Sequence, residues 1–196
     1  MTRRSILSAH EKLSLVALPE SDMEFIRHYS LSDADISIIK QKRGNANKLG
    51  FAIQLSYMRY PGITLAEKET PNQDLLDFIA NQIGCHASDW QNYGVREVTK
   101  REHALELQQI FGYRTFSREF YSQHVEYITA LATETTKGII LAEHLVNYLR
   151  GQKILLPTVL VIEKICAQAM TQANKIIYDR LTADLTQSHL DKLDNL

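Results

Sequence analysis

Residues 40–61 read KQKRGNANKLGFAIQLSYMRYP, and the helices on either side are placed from this stretch. It carries Lys40, Lys42, Arg43, Lys48 and Arg59, and no Asp or Glu occurs between Asp35 and Glu67. A turn signal, Arg43-Gly44-Asn45, divides it into the end of one helix and the start of another. Gly44 is expected just past the first helix, at C′ with positive φ. Beyond it Leu49, Phe51, Ala52, Leu55, Tyr57 and Met58 have the spacing of a helix with one buried face. A packed helix whose first turn displays Asn45, Asn47 and Lys48 has the outline of the second element of a helix-turn-helix.

Working outward, helix starts recur as capping boxes: Ser8-x-x-Glu11, Ser21-x-x-Glu24, Thr70-Pro71-x-Gln73, Ser88-x-x-Gln91 and Thr99-x-x-Glu102. Gly44, Gly84, Gly112 and Gly151 each follow an apolar-periodic run and predict helix ends. β-branched alternation is almost absent, so the fold class is all-α, with two small multi-helix units carrying helix-turn-helix-like elements. Helices are expected near 8–18, 21–29, 32–43, 46–59, 71–83, 88–92, 95–111, 117–133, 138–150, 158–181 and 183–194. Tyr60 to Thr70, with Pro and Gly and no helical period, suggests a boundary between an N-terminal unit (1–64) and a second unit (65–196) ending in a long helix. The core positions include Phe25, Ile26, Ile39, Leu49, Ile53 and Leu55 in the first unit. The second draws on Ile79, Leu105, Leu107, Ile128, Leu145, Leu160, Ile165 and Ile176.

With 196 residues, 44% hydrophobic and 23% charged, the chain has the composition of a soluble globular protein. Cys85 and Cys166 are far apart and lack a CxxC partner, which suits two free thiols in a reducing cytoplasm. The N-terminus has no apolar core long enough for a signal peptide, and no run approaches the roughly 20 apolar residues a membrane span needs. The seven histidines are scattered without ligand spacing, and there is no phosphate loop and no GxSxG. No catalytic residue, metal ligand or cofactor is expected in the chain.

A second basic cluster runs Arg96, Lys100, Arg101, then Arg114 and Arg118. Arg96, Lys100 and Arg101 share one helical face, although Glu97, Glu102 and Glu106 are interleaved and a solvated face of Glu–Lys pairs is the plainer alternative. Gly112-Tyr113-Arg114-Thr115-Phe116 followed by Ser117 outlines a second helix-turn-helix. Formal net charge is only −1, so positive potential would have to be concentrated locally. For Lys40 to Arg59 the plainer alternative is a basic face that serves solubility; Lys40, Lys42 and Arg43 also favour the dipole of a helix C-terminus. Asn pairs with adenine and Arg with guanine in the major groove, which makes Asn45, Asn47 and Arg114 candidate base readers.

The same residues carry a family resemblance. Asn47-Lys48-Leu49-Gly50-Phe51-Ala52-Ile53-Gln54-Leu55, then Arg59-Tyr60-Pro61-Gly62, then YGVREVTKREH (Tyr93 to His103), GYRTF (Gly112 to Phe116) and Ile154-Leu155-Leu156-Pro157 follow in order. Together they resemble the N-terminal region of Tn-three family transposases over nearly the whole chain. Lys48 stands where that family often has Arg, Ser56 where Cys is frequent, and Ile63 where a basic residue often follows Pro-Gly. The resemblance implies a much longer parent, of which this chain is expected to be a non-catalytic N-terminal fragment. The parent's metal-dependent acidic triad would lie in a C-terminal domain.

The basic residues and the resemblance together lead to the expectation of a DNA-binding module for the terminal inverted repeats of a transposon. It would act through Lys40, Lys42, Arg43, Asn45, Asn47, Lys48, Arg59, Arg96, Lys100, Arg101, Arg114 and Arg118. The implied partners are double-stranded DNA, the remainder of the transposase and a second transposase copy, without a membrane. The implied place is the bacterial cytoplasm at the nucleoid. The rival reading is a helical protein–protein module for transposase self-association, and a stand-alone repressor is a weaker third.

Overall fold

The computed structural model describes residues 5–65, 69–95 and 97–183. Its helices are α1 (Ala9–Ser14), α2 (Asp22–Tyr29), α3 (Asp33–Lys40), α4 (Asn45–Arg59), α5 (Gln73–Ile83), α6 (Glu97–Phe111), α7 (Arg118–Ala132), α8 (Gly138–Gly151) and α9 (Val159–Thr182), with a 3-10 helix at Ala87–Asn92. The fold is all-α, as the periodicity predicts. Its one sheet among the described residues is a parallel pair of two-residue strands, β1 (Arg114–Thr115) beside β2 (Ile154–Leu155). Beyond Ala183, the helix expected at 183–194 lies outside the described residues.

Ser8 with Glu11 and Ser21 with Glu24 form reciprocal capping boxes as predicted, and Ser32 with Asp35 forms a third that the sequence reading passed over. The remaining three predicted boxes are displaced. Asn72, not Thr70, caps α5 by accepting from the Leu75 amide at 2.8 Å. The 3-10 helix is already under way at Ala87, ahead of Ser88, and Thr99 lies inside α6. Gly84 is left-handed as expected, whereas Gly151 is the last residue of α8 and Lys153 takes the positive φ in its place.

Two compact units emerge. The first comprises Val16–Phe116 and Leu149–Leu156; the second comprises Met1–Leu15, Ser117–Tyr148 and Pro157–Leu196. Residues 64 and 65, between which the sequence suggested a boundary, both fall within the first. The stretch around Pro61 is tied down there by several bonds. Tyr29 Oη donates to the Tyr60 carbonyl (3.1 Å), Arg150 Nε to that of Pro61 (2.7 Å), and the Leu156 amide to that of Gly62 (2.7 Å).

In the first unit α2, α3, α5, α6 and the 3-10 helix all pack on α4. Every residue of α4 from Leu49 to Met58 is buried, which corrects the expectation of a single buried face. A helix enclosed on all sides is a core element. Burying side chains such as Leu49, Phe51, Ile53, Leu55 and Met58 stabilises the fold by roughly 1.5–3 kcal/mol each. An apolar surround makes unpaired polar groups costly, and two of those in α4 find partners inside it: Ser56 Oγ donates to the Ala52 carbonyl at 3.0 Å, and Gln54 bonds to Tyr93 and Lys100. Ile26 and Leu105, expected in the core, are 60% and 49% exposed.

The second unit is built on α7 and α9, which pack along one another. Val125 and Ile128 of α7 and Ile162, Ile165, Cys166 and Ala169 of α9 are buried, while Leu160 and Ile176 are exposed. Cys85 and Cys166 are both free thiols, and burial pushes Cys166 up to about 12. The Glu163 carboxylate gathers the N-terminal segment. It accepts from Ser5 Oγ (2.5 Å) and from the amides of Ile6 (3.1 Å) and Leu7 (3.3 Å), and it pairs with Lys12 Nζ at 2.8 Å. Burial alone would raise its pKa, but Lys12, Ser5 and the Leu7 amide outweigh burial and hold it below the ordinary carboxylate value.

Because the folded-state pKa of Glu163 is depressed, its contribution is present above the ordinary value near 4.5 and is lost as pH falls through the lower folded value. Glu163→Ala should lower stability by about 2–3 kcal/mol at neutral pH. Denaturant melts of wild type and variant should converge as the pH is taken down into the acid range.

Candidate nucleic-acid interface

The basic stretch folds as α3, a turn, and α4, the helix-turn-helix-like element expected. The amides of Gln41 and Lys42 tighten the end of α3 by donating to the carbonyls of Ile38 and Ile39. Gly44 has φ 80° and ψ 150°, a region essentially reserved for glycine. Its positive φ is as predicted, but it stands as the N-cap of α4 and not as the terminator of α3. No atom lies within 4 Å of where its Cβ would be, so the demand for glycine comes from the backbone alone.

This start leaves α4 without a side-chain cap and without an acid in its first turn. Among the described residues no side chain caps its early N–H groups, and no acid of its first turn opposes the positive end of its dipole. Lys40, Arg43 and Asn45 are exposed around this end, and Asn47 and Lys48 are half-buried. Asn47 Nδ2 donates to the Arg43 carbonyl at 2.9 Å, so the amide braces the turn that carries Arg43.

Two of the predicted cations are engaged inside the first unit. Arg59 grips Asp35 with both ends of its fork, Nη1 to Oδ2 at 2.9 Å and Nη2 to Oδ1 at 2.7 Å, and lies 5.5 Å from the Phe111 ring centroid. Burial would raise the Asp35 pKa, but Arg59 and the Ser32 cap together hold it below the usual carboxylate range. Lys42 pairs with Glu106 and sits over the Phe51 ring, 4.4 Å from its centroid. Both locate α4 against its neighbours.

In the second cluster Lys100 lies over Trp90 and Tyr93, 5.8 and 6.0 Å from their centroids, and Arg101 is exposed on α6. Arg114 is exposed in β1 and reaches the Gln152 carbonyl at 3.4 Å; its amide donates to that of Lys153. The segment expected as a second helix-turn-helix turn is therefore held in a strand. Arg118, exposed at the start of α7, belongs to the second unit, and Arg96 lies outside the described residues.

Sequence reading missed a buried polar chain that joins α4, the 3-10 helix and α6. Gln54 Nε2 donates to Tyr93 Oη and to the Lys100 carbonyl (3.0 Å), while Tyr93 Oη meets His103 Nδ1 at 3.1 Å. A Cβ on Gly50 would lie 2.1 Å from the Tyr93 ring, so glycine here admits the ring against the α4 backbone. A glycine in mid-helix was the available signal, because it weakens a helix unless a close approach requires it. Burial and the nearby Lys42 charge lower the His103 pKa, which favours the neutral ring that can accept from Tyr93. Among the described residues no three His, Cys, Asp or Glu side chains are grouped to hold a metal ion. No described helix is long and apolar enough to cross a membrane.

Residues 6–169 match the family model described as a domain of unknown function, DUF4158. The chain belongs to this family. It is also 48% identical over its whole length to the transposases of transposons Tn21 and Tn3926, both from Escherichia coli, and 41% identical to that of Tn501 from Pseudomonas aeruginosa. In each case all of this chain aligns with 20% of the relative, so the chain spans about a fifth of the length of the transposases it matches. The resemblance to the N-terminal region of Tn-three family transposases holds along the full chain.

The structure separates internal cations from surface ones, and melting curves can test the separation. Arg59→Ala should cost about 3 kcal/mol or more, because it strands the buried Asp35 carboxylate. Lys40→Ala, at an exposed position, should stay within about 0.5 kcal/mol of wild type. Equal melting of the two variants would contradict this division.

Proposed function

We propose that the chain is the sequence-specific DNA-binding module of a transposase and recognises the terminal inverted repeats of its transposon. The observation that carries this reading is the basic end of the first unit. There Lys40, Arg43 and Lys48 lie close in sequence to the uncapped start of α4, within a stretch free of acids from Ile36 to Ala66. Helix N-termini bind phosphate through free amides and dipole, and nearby cations release counterions from the duplex. Lys100, Arg101 and Arg114 in the same unit, and Arg118 in the second, are further candidate phosphate contacts. Similarity to transposases over the whole chain supports the same assignment. Within such a parent the module would hold the transposon end while catalysis took place elsewhere in the polypeptide.

Phosphate contacts fix register and affinity, whereas base contacts choose the site. Asn45, exposed at the first position of α4, is the member of this end suited to a base edge. Asn47, committed to Arg43, supports the turn in this proposal. A second reading, self-association, draws on the exposed Tyr178 and Leu181 near the end of α9, 67% and 72% accessible.

Titration of the chain with a terminal-repeat duplex at several salt concentrations tests the proposal. With about six phosphates neutralised, log K should fall with log salt at a slope near −5. Arg43→Ala and Lys48→Ala should each flatten the slope by about one. Absence of duplex binding at low salt, with mass rising with concentration by sedimentation, would favour self-association instead.

A further inference from the structure

Left-handed backbone at a helix end is ordinarily given to glycine, because a Cβ is crowded there. Gly84 ends α5 with φ 69°, and Gly112 follows α6 with φ 72°. After α8 the same conformation falls to Lys153 (φ 53°), the only non-glycine with positive φ among the described residues. A backbone outlier of this kind points to a use for the side chain. Part of that use is internal. Lys153 Nζ donates at 2.9 Å to the carbonyl of Phe111, the last residue of α6. That bond takes one of the three ammonium donors, and the residue is exposed.

Lys153 stands where three acid-free stretches of the first unit meet. No Asp or Glu occurs from Leu107 to Phe116 or from Leu149 to Leu156, and the stretch from Ile36 to Ala66 is likewise free. The Arg114 amide donates to the Lys153 carbonyl at 2.9 Å where β1 and β2 pair, and the Leu156 amide bonds the Gly62 carbonyl at 2.7 Å. Arg114 and Lys153 are thus neighbours on a fixed backbone, and both are exposed. Arg150, whose carbonyl accepts from the Lys153 amide at 3.0 Å, adds a third cation, half-buried with its guanidinium over the Tyr60 ring. Asp35, the acid that bears on Tyr113, is held on both oxygens by Arg59. Fixed cations on acid-free backbone suit the regular negative charge of a duplex. We propose that Lys153, beside Arg114, forms a second phosphate-binding corner of the first unit, near the C-terminal end of α4. This rests on the DNA-binding reading above. The length of α4, about 21 Å, separates the corner from the basic helix start, so the two hold different phosphates.

Two substitutions in the full chain test it, with terminal-repeat and random-sequence duplexes titrated at several salt concentrations. Lys153→Gly keeps the left-handed backbone and removes the charge, whereas Lys153→Arg keeps the charge. The glycine variant should bind both duplexes more weakly, by roughly fivefold to tenfold, and its salt slope should flatten by about one. The arginine variant should keep the wild-type slope. Melting curves for both variants separate the loss of the Phe111 bond from the loss of a phosphate contact, because a purely structural lysine would leave the slope unchanged. Weakened binding with an unchanged slope, or a loss confined to the terminal repeat, would therefore overturn the corner. Wild-type binding and slope in both variants would overturn it as well and leave the DNA-binding reading standing. If the wild-type chain binds no duplex at low salt, both readings fall together.

Discussion

A fifteen-residue helix that exposes no side chain fully between Leu49 and Met58 governs the unit around it. Once α4 is enclosed, its polar groups must be satisfied inside the protein, and its ends are the parts left for other tasks. Gln54 meets the first condition through Tyr93 and Lys100. Ser56 does so through its own helix. Gly50 lets the Tyr93 ring close on the backbone, a contact that any Cβ would prevent. At the far end Arg59 turns back to Asp35, so one carboxylate both caps α3 and anchors α4.

That double use of Asp35 explains how charges near the turn divide. An acid-free stretch reads as a block of equivalent cations when only the sequence is in view. Folding gives Arg59 and Lys42 internal partners, Asp35 and Glu106, and leaves Lys40 and Arg43 exposed. Both internal partners lie outside the stretch, Glu106 by 64 residues from Lys42, and local spacing cannot register a pair at that separation. A buried bidentate pair is weak evidence of stability as a whole, yet breaking it strands a charge, so Arg59 is tied to the fold whatever else it touches.

The all-α class and nearly every helix were legible because 3.6-residue periodicity and side-chain caps are local signals. Ser8 with Glu11 and Ser21 with Glu24 behave as short-range chemistry requires. Where a second donor or acceptor competed, the nearest candidate lost: Asn72 displaced Thr70 because its amide oxygen reaches the Leu75 amide from the right position. The number of buried faces on α4 was not legible. Leu49, Phe51, Ala52, Leu55, Tyr57 and Met58 satisfy a one-face pattern, and Gly50, Gln54 and Ser56 hide the rest until their partners are known. Leu105 and Ile26 misled in the opposite sense, since an apolar residue at helical spacing is exposed when no element crosses above it. The folding also interleaves the two units along the chain, and no composition shift marks the return of Leu149–Leu156 to the first.

Near-neutral net charge is compatible with a nucleic-acid surface for a physical reason visible in α3 and α4. Acids cluster at helix starts, where Asp33, Asp35, Asp22 and Glu24 complete caps and oppose the positive dipole ends of α2 and α3. α4 alone among these three begins without such an acid, on a glycine whose conformation supplies no side-chain acceptor. The start of α4 is thus left without an acid, as are the starts of α8 and α9, and Lys40, Arg43 and Lys48 add positive charge near it without a counter-charge in the local sequence. Overall charge averages over these ends. The field a phosphate meets on approach is set within about 10 Å, the range over which salt leaves charges visible, and there the averaging does not apply.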